Sequence, residues 1–365
     1  MQKRLPVTVI TGFLGSGKTT VLRHLLKSSG QRLAVMVNEF GSVGLDGDLI
    51  RSCGFCPDDE LDGRLVELNN GCLCCTVQDD FLPTMEQLLE RSDRLDGIVV
   101  ETSGLALPEP LLDALSWPEI RRRVHVNGVV TLVDGEALSQ GSPVSDPQAL
   151  EEQRRNDPSL DHLTAVTDLF RDQLQAADLV LISRADLLSE SAIDAVATSL
   201  KAQIREGTAL LPIAAGSVDA DVVLGLDHPS PEGSEQDHDH VQHHGHDHSQ
   251  DHDHHHDHTH VDIASGVVQL EGLFDRTELE LQLPQLIQRL QVVRLKGRVW
   301  LPDKSLPLQI QMVGPRLNSW FESAPNSAWR PSQAQGLDLV VLSFQPDAAE
   351  QLEQSLSPLM QAVRC

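Results

Sequence analysis

The hydrophobic pattern of this chain changes character part-way along it. In the N-terminal part, short unbroken apolar runs recur: LPVTVIT (5–11), RLAVMV at the head of 32–41, the start of 64–77, DGIVV before Glu101, VHVNGVVTLVDG (124–135), DLVLISRADLL (178–188) and ALLPIAA (209–215). Runs of that length without polar alternation read as strands buried on both faces. Helical spacing appears between them at VLRHLLKS (21–28), about 79–92 and 189–205. This alternation predicts an α/β unit with a mostly parallel sheet covered on both sides. From about Val218 to Asp262 the pattern dissolves. It restarts with GVVQLEG and a helix, then runs through VVRLKGRVWLP, LPLQIQMVG and LDLVVLSFQP to an amphipathic segment near 347–362. Alternating runs of this kind predict a smaller α+β domain with a mostly antiparallel sheet. The expected division is 1–216, a linker 217–262, and 263–365. Trp300, Trp320 and Trp329 read as packing or partner-contact residues.

Chemistry enters where the first run ends. Gly12 to Thr20 reads GFLGSGKTT, a G-x-x-x-x-G-K-[ST] pattern between a strand and a helix, the context a phosphate loop requires. Gly12, Gly15 and Gly17 let backbone N–H groups, with those of Ser16 and Thr20, turn toward phosphate oxygens at a helix N-terminus. Lys18 reaches the β- and γ-phosphates, and the Thr19 hydroxyl ligates Mg²⁺. Glu101 closes an apolar strand and reads as a Walker B carboxylate that serves Mg²⁺ and the attacking water, with the Gly104 N–H reporting on the γ-phosphate. The 178–188 run ends in Ser183, Arg184 and Asp186, where GTPases carry N/T-K-x-D. Asp186 stands where the base-reading acid belongs, and Arg184 in the lysine position is expected to stack on a purine. GTP is therefore expected over ATP, and Lys18 and Glu101 are the catalytic candidates.

The formal charge of −26 argues against a nucleic-acid surface, because phosphate backbones would be repelled. Much of it is local: between Arg205 and Arg276 there are fifteen Asp or Glu and no Lys or Arg. The N-terminus runs almost directly into the first strand, and no apolar stretch approaches a bilayer span, so the expected location is cytoplasmic with no membrane contact.

Five of the six cysteines lie between Cys53 and Cys75. In a reducing compartment this reads as metal binding. Cys72, Cys74 and Cys75 are too close together for unstrained bridges but are able to converge on one soft ion, with a fourth position open. Cys53 and Cys56 form a C-x-x-C pair that fits half a zinc knuckle, a redox pair or two ordinary loop cysteines. Glu39, just past the second strand, reads on its own as a solvated loop carboxylate. Thirteen of sixteen histidines lie between His228 and His260. The run His238, His240, His243, His244, His246, His248, His252, His254, His255, His256, His258 and His260, interleaved with aspartates, reads as a linker too polar to fold, whose imidazoles collect divalent metal.

GFLGSGKTT, NEFG, ELNNGCLCC, VVETSGLALP, the SRAD loop, the histidine tract and RLKGRVWLP together resemble the CobW family of P-loop GTPases, over essentially the whole chain. The resemblance implies a SIMIBI-type G domain with a CobW C-terminal domain, and a metallochaperone that hydrolyses GTP with Mg²⁺. It implies that Cys72, Cys74 and Cys75 hold Zn²⁺ or Co²⁺, with Glu39 as a neighbouring ligand, and that Asp186 reads the base. The expected partners are an acceptor metalloprotein, a cobaltochelatase or a zinc enzyme, and a second copy of the chain in a metal-dependent oligomer. The family name inclines the metal toward cobalt for cobalamin synthesis, with zinc supply as the alternative. A non-catalytic metal store or sensor is the rival from another class. Because the cysteines fall between the P-loop and the Walker B strand, γ-phosphate loss is expected to loosen the thiolate site and release its ion.

Overall fold

The computed structural model describes residues 4–37, 65–67, 81–156, 165–225 and 263–360. Seven strands form the N-terminal sheet: β1 (Leu5–Thr11), β2 (Leu33–Val37), β3 (Leu65–Glu67), β4 (Gly97–Glu101), β5 (Val124–Asp134), β6 (Leu179–Ser183) and β7 (Ala209–Pro212). Their order is β3-β2-β4-β1-β5-β6-β7, and every pair is parallel. Side chains alternate between two buried faces, as the unbroken apolar runs require. Ile10, Val130, Leu132 and Leu181 face α1 (Lys18–Ser28). Val7, Val9 and Val129 face α2 (Leu82–Glu90) and α3 (Pro108–Leu115), while Val133, Val180 and Ile182 face later helices. Each fully buried Leu or Val contributes about 1.5–3 kcal/mol.

After β5 come the short helix α4 (Gly135–Ser139), then α5 (Pro147–Asn156) and α6 (Val166–Ala176). Helix α7 (Glu190–Lys201) follows β6 with Ser189 as its N-cap. The expected linker start is corrected here. Residues 218–224 pack into the first domain, because Val218 and, from helix α8 (Ala220–Leu224), Val222, Val223 and Leu224 join the core beside Val21 and Leu25. The first domain therefore extends to Gly225.

The C-terminal domain is a five-stranded sheet of β8 (Ala264–Glu271), β9 (Val292–Trp300), β10 (Leu308–Val313), β11 (Arg316–Phe321) and β12 (Gly336–Ser343), ordered β11-β10-β9-β12-β8. All its pairs are antiparallel. One face is apolar. Val268, Leu295, Val299, Ile310, Leu339 and Val341 meet Leu279, Leu283, Ile287 and Leu352 from α9 (Arg276–Arg289) and α10 (Ala348–Leu356). The intervening positions, Lys296, Arg298, Gln309, Gln311 and Asp338, form a polar face toward the first domain. No helix among the described residues is long and apolar enough to cross a membrane.

The two domains meet through apolar and polar contacts together. Val293 and Leu342 enter the first domain's core. Arg294, 4% exposed, donates to the carbonyls of Val222 and Val223 at the end of α8, and its Nη1 lies 3.2 Å from Asn127 Oδ1. Those carbonyls lack helical partners, so a cation there satisfies them. Burial lowers the Arg294 pKa to about 9. Asp178, fully buried, accepts from Val129 N at 2.8 Å, Arg205 at 2.6 Å and Arg316 of β11 at 2.5 Å. One carboxylate thus ties β5, the loop after α7 and the second domain together.

Candidate active site

The C-terminal ends of the parallel strands converge on one site, as expected for an open α/β sheet. The loop from β1 to α1 adopts positive φ at Gly12 (134°), Gly15 (76°) and Gly17 (96°). A Cβ on Gly12 would lie 2.2 Å from Leu132 O, so only glycine fits where this loop crosses β5. The Lys18 ammonium donates to Gly12 O at 2.8 Å and Phe13 O at 3.2 Å, which holds its charge over the mouth of the loop. Ser16 Oγ is buried with no hydrogen-bond partner among the described residues. An open loop of backbone N–H groups, a buried cation and a buried hydroxyl in need of a partner fit a polyphosphate.

Glu101, 3% exposed, ends β4 beside β1, in register with Ile10. Thr19 Oγ1 donates to Glu101 Oε1 at 3.1 Å, across eighty-two positions of sequence. Two hard oxygen donors meeting at the phosphate end of a P-loop fit Mg²⁺. Past Glu101, the Thr102 hydroxyl donates to Thr11 Oγ1 at 2.9 Å. A Cβ on Gly104 would come within 2.7 Å of Leu14 N, so the turn after β4 lies directly on the phosphate loop.

Gln173 of α6 holds that turn. It is fully buried, and its Nε2 donates to Gly104 O at 3.1 Å and Ala106 O at 3.0 Å. Thr131 Oγ1 in turn donates to the Gln173 carbonyl at 3.2 Å. The sequence reading missed Gln173; the available signal is an amide on the apolar face of an amphipathic helix.

The base side is built from the ends of β6 and β7. Ser183, 6% exposed, donates to Val133 O at 3.1 Å and lies beside Gly17. Arg184 adopts left-handed backbone (φ 56°) and starts the 3-10 turn Ala185–Leu187, on which Asp186 is exposed. Arg184 departs from the expected open stacking position. Its Nη1 bonds Asp134 Oδ2 at 2.8 Å and lies 3.5 Å from Glu136 Oε2. Asp134 is 1% exposed, and a buried carboxylate at a strand end draws the nearest cation. Ala185 N donates to Ile213 O at 3.1 Å, bringing in the loop after β7. There Ala215 (φ 49°) and Gly216 (φ 75°) are left-handed, and a Cβ on Gly216 would meet Thr20 Cγ2 at 2.6 Å. Left-handed non-glycine residues such as Arg184 and Ala215 often mark ligand sites.

Sequence reasoning missed Asp134, Glu136 and the Ala215–Gly216 turn. Asp134 carries the same signal as Glu101, an acid closing an apolar strand. Glu39, Cys53, Cys56, Cys72, Cys74, Cys75 and the histidines from His238 to His260 lie outside the described residues. Among the described residues, no three His, Cys, Asp or Glu side chains are grouped to hold a metal ion.

The family model described as the CobW/HypB/UreG nucleotide-binding domain matches residues 6–212, and that of the cobalamin synthesis protein cobW C-terminal domain matches 263–359. A Pseudomonas aeruginosa protein named Zinc chaperone CobW is 41% identical over 353 residues, covering 95% of this chain and 89% of that one. A Sinorhizobium sp. protein of the same name is 40% identical over 346 residues, covering 94% of each. The solved structure of the Zn(II)-bound YjiA GTPase from E. coli aligns over 99% of this chain and 100% of its own, at 21% identity and a TM-score of 0.40. With the phosphate loop, the Thr19–Glu101 pair and both domain matches in place, the chain belongs to the CobW family of P-loop nucleotide-binding proteins.

Proposed function

We propose that this protein hydrolyses GTP and uses the nucleotide cycle to load and release Zn²⁺ for an acceptor metalloprotein. The observation that carries the hydrolytic part is the convergence of Lys18, Thr19 and Glu101 at the phosphate end of the parallel sheet, with the Gly104 turn seated on the loop. Lys18 neutralises charge on the β- and γ-phosphates of bound GTP. Thr19 and Glu101 hold Mg²⁺, which when bound spreads the negative charge that develops on the transferring phosphoryl group. Glu101 orients the attacking water, and the Gly104 N–H faces the γ-phosphate. Asp186 accepts from the guanine edge, while Arg184 braces the loop through Asp134 and Glu136 rather than covering the base.

The cargo reading rests on Cys72, Cys74 and Cys75, a thiolate set suited to a soft or borderline divalent ion with one position open for transfer. Intrinsic affinity gives Co²⁺ no advantage over Zn²⁺ in such a set. Two full-length relatives are named zinc chaperones, which supports zinc over the cobalt and cobalamin role that the family name first suggests. The histidine tract collects metal near the chain. The test is steady-state turnover with GTP and with ATP, on wild type and Lys18→Ala. GTP is expected to be preferred, and Lys18→Ala to lower kcat by about 100-fold or more while leaving metal uptake by the histidine tract unchanged. A Lys18→Ala protein that turns over at the wild-type rate would refute the assignment.

A further inference from the structure

Residues 213–225 run from the base side of the nucleotide site to the contact between the domains, and each part of this strap is tied to a different element. Ile213 N donates to Ile182 O at 2.8 Å, and Ile213 O accepts from Ala185 N, next to Asp186. The Ala215–Gly216 turn comes next. A Cβ on Gly216 would meet not only Thr20 Cγ2 but also the Thr20 carbonyl carbon at 3.2 Å, so the turn is pressed on the first turn of α1. One helical turn further along α1, His24 Nε2 donates to Val218 O at 3.0 Å. The chain then enters α8, with Asp219 Oδ1 accepting from Asp221 N at 2.8 Å.

The far end of the strap is gripped from the second domain. Arg294 of β9 donates to the carbonyls of Val222 and Val223, and Asn127 Nδ2 donates to Leu224 O at 2.8 Å and to Thr8 Oγ1 at 2.8 Å. Those two bonds fix the Asn127 amide so that its Oδ1 faces Arg294 at 3.2 Å. A Cβ on Gly225 would lie 3.2 Å from Arg294 Nη1, which brings the backbone itself against the guanidinium. The oxygens that Arg294 bonds are neutral, and it is buried among them. A cation buried without its acceptors is far more costly than a small shift of a strand, so β9 must follow α8 when α8 moves.

The near end is held under strain. Ala215 is left-handed (φ 49°), a conformation that a residue with a Cβ keeps only where its surroundings impose it. We propose that residues 213–225 couple nucleotide occupancy to the seating of the C-terminal domain, with Arg294 as the residue that makes β9 follow the strap. The coupling rests on the GTP site proposed above. A base held beside Asp186 fixes the Ala215–Gly216 turn, the turn fixes α8 along α1, and α8 fixes Arg294. By linkage, a well-seated second domain tightens the nucleotide by the same factor.

Hydrogen exchange of the full chain, read by mass spectrometry with and without saturating GDP, follows both ends of the strap at once. GDP should slow exchange in the phosphate loop and also in peptides covering α8 and the first half of β9, the latter by at least about 5-fold. Protection confined to the nucleotide loops would overturn the coupling and leave the nucleotide site standing. No protection anywhere would overturn both. The second measurement is the GDP affinity of Arg294→Met, which keeps an unbranched side chain and removes its donors. Its Kd should rise at least about 5-fold, although the bonds of Arg294 all lie at the domain contact, and GDP should no longer protect β9. A smaller rise, or a β9 that still responds, would overturn the proposal. Should Arg294→Met fail to fold, the half-buried His24 offers the same test, because His24→Ala cuts the bond between α1 and the strap. The phosphate loop should then still be protected by GDP while the β9 response is lost, and a full β9 response would overturn the proposal.

Discussion

In the parallel sheet, β4 and β6 are buried along their whole length, and Glu101, Asp134 and Ser183 stand where strands end. In the antiparallel sheet one face packs on α9 and α10, and the polar groups lie across the other face as rows of Arg, Lys, Gln and Asp. The difference follows from connectivity. Crossover helices must cover both faces of a parallel sheet, which leaves its edge as the place for a ligand. Hairpins leave one face open to a partner, and here that partner is the first domain.

The contact between the sheets is the first place to break this comparison. Asp178→Ala removes the acceptor shared by Arg205, Arg316 and Val129 N, and should destabilise the full chain by about 3 kcal/mol in urea unfolding. A change below 1 kcal/mol would mean that the two sheets are not joined through that carboxylate. Next in size is Gln173→Leu, which keeps the volume and deletes the two donors that hold the Gly104 turn. It should lower kcat for GTP about 10-fold while changing nucleotide affinity less than about 3-fold. An equal loss in affinity would make Gln173 a packing residue instead of a positioning one.

The smallest effect probes the polar face. Burial raises the Asp338 pKa above the ordinary carboxylate value. The folded state therefore holds that proton to higher pH than the unfolded chain, and stability from this group falls as pH rises through the window between the two values. Asp338→Asn keeps the acceptor for Gln269 and removes the buried charge. Thermal unfolding should show Tm about 1–2 °C above wild type at neutral pH, and the gap should close at pH values below the usual carboxylate range. A gap that is constant with pH would remove the charge from the explanation.

The parts that are legible in the sequence are those whose chemistry is local. GFLGSGKTT and the acid closing the GIVVE strand mark the pattern of a phosphate loop and a strand-end carboxylate without any tertiary information, and the exposed turn that carries Asp186 directly follows the β6 run. Gln173 and the Ala215–Gly216 turn act on residues far away in sequence, so their residue types alone reveal nothing. The contact of Arg184 with Asp134 is hidden for a related reason, since the two lie fifty positions apart. Strand β11, with the polar residues Asn318 and Ser319 in its middle, is half-buried throughout and shows no strong apolar run. Helix α8 lies past the expected boundary because Val222, Val223 and Leu224, in a five-residue stretch that also holds Asp221, close the first domain's core under Arg294.

The central claim is that nucleotide state controls the cysteine site. By linkage, an ion that binds more tightly with GTP must tighten GTP by the same factor. Zinc affinity should be measured on the full chain with GDP and with a non-hydrolysable GTP analogue, each compared with the Cys72/Cys74/Cys75 triple alanine. The account predicts at least about 10-fold tighter zinc binding with the analogue, a coupling of about 1.4 kcal/mol, and its loss in the triple variant. Equal affinities in the two nucleotide states would contradict it.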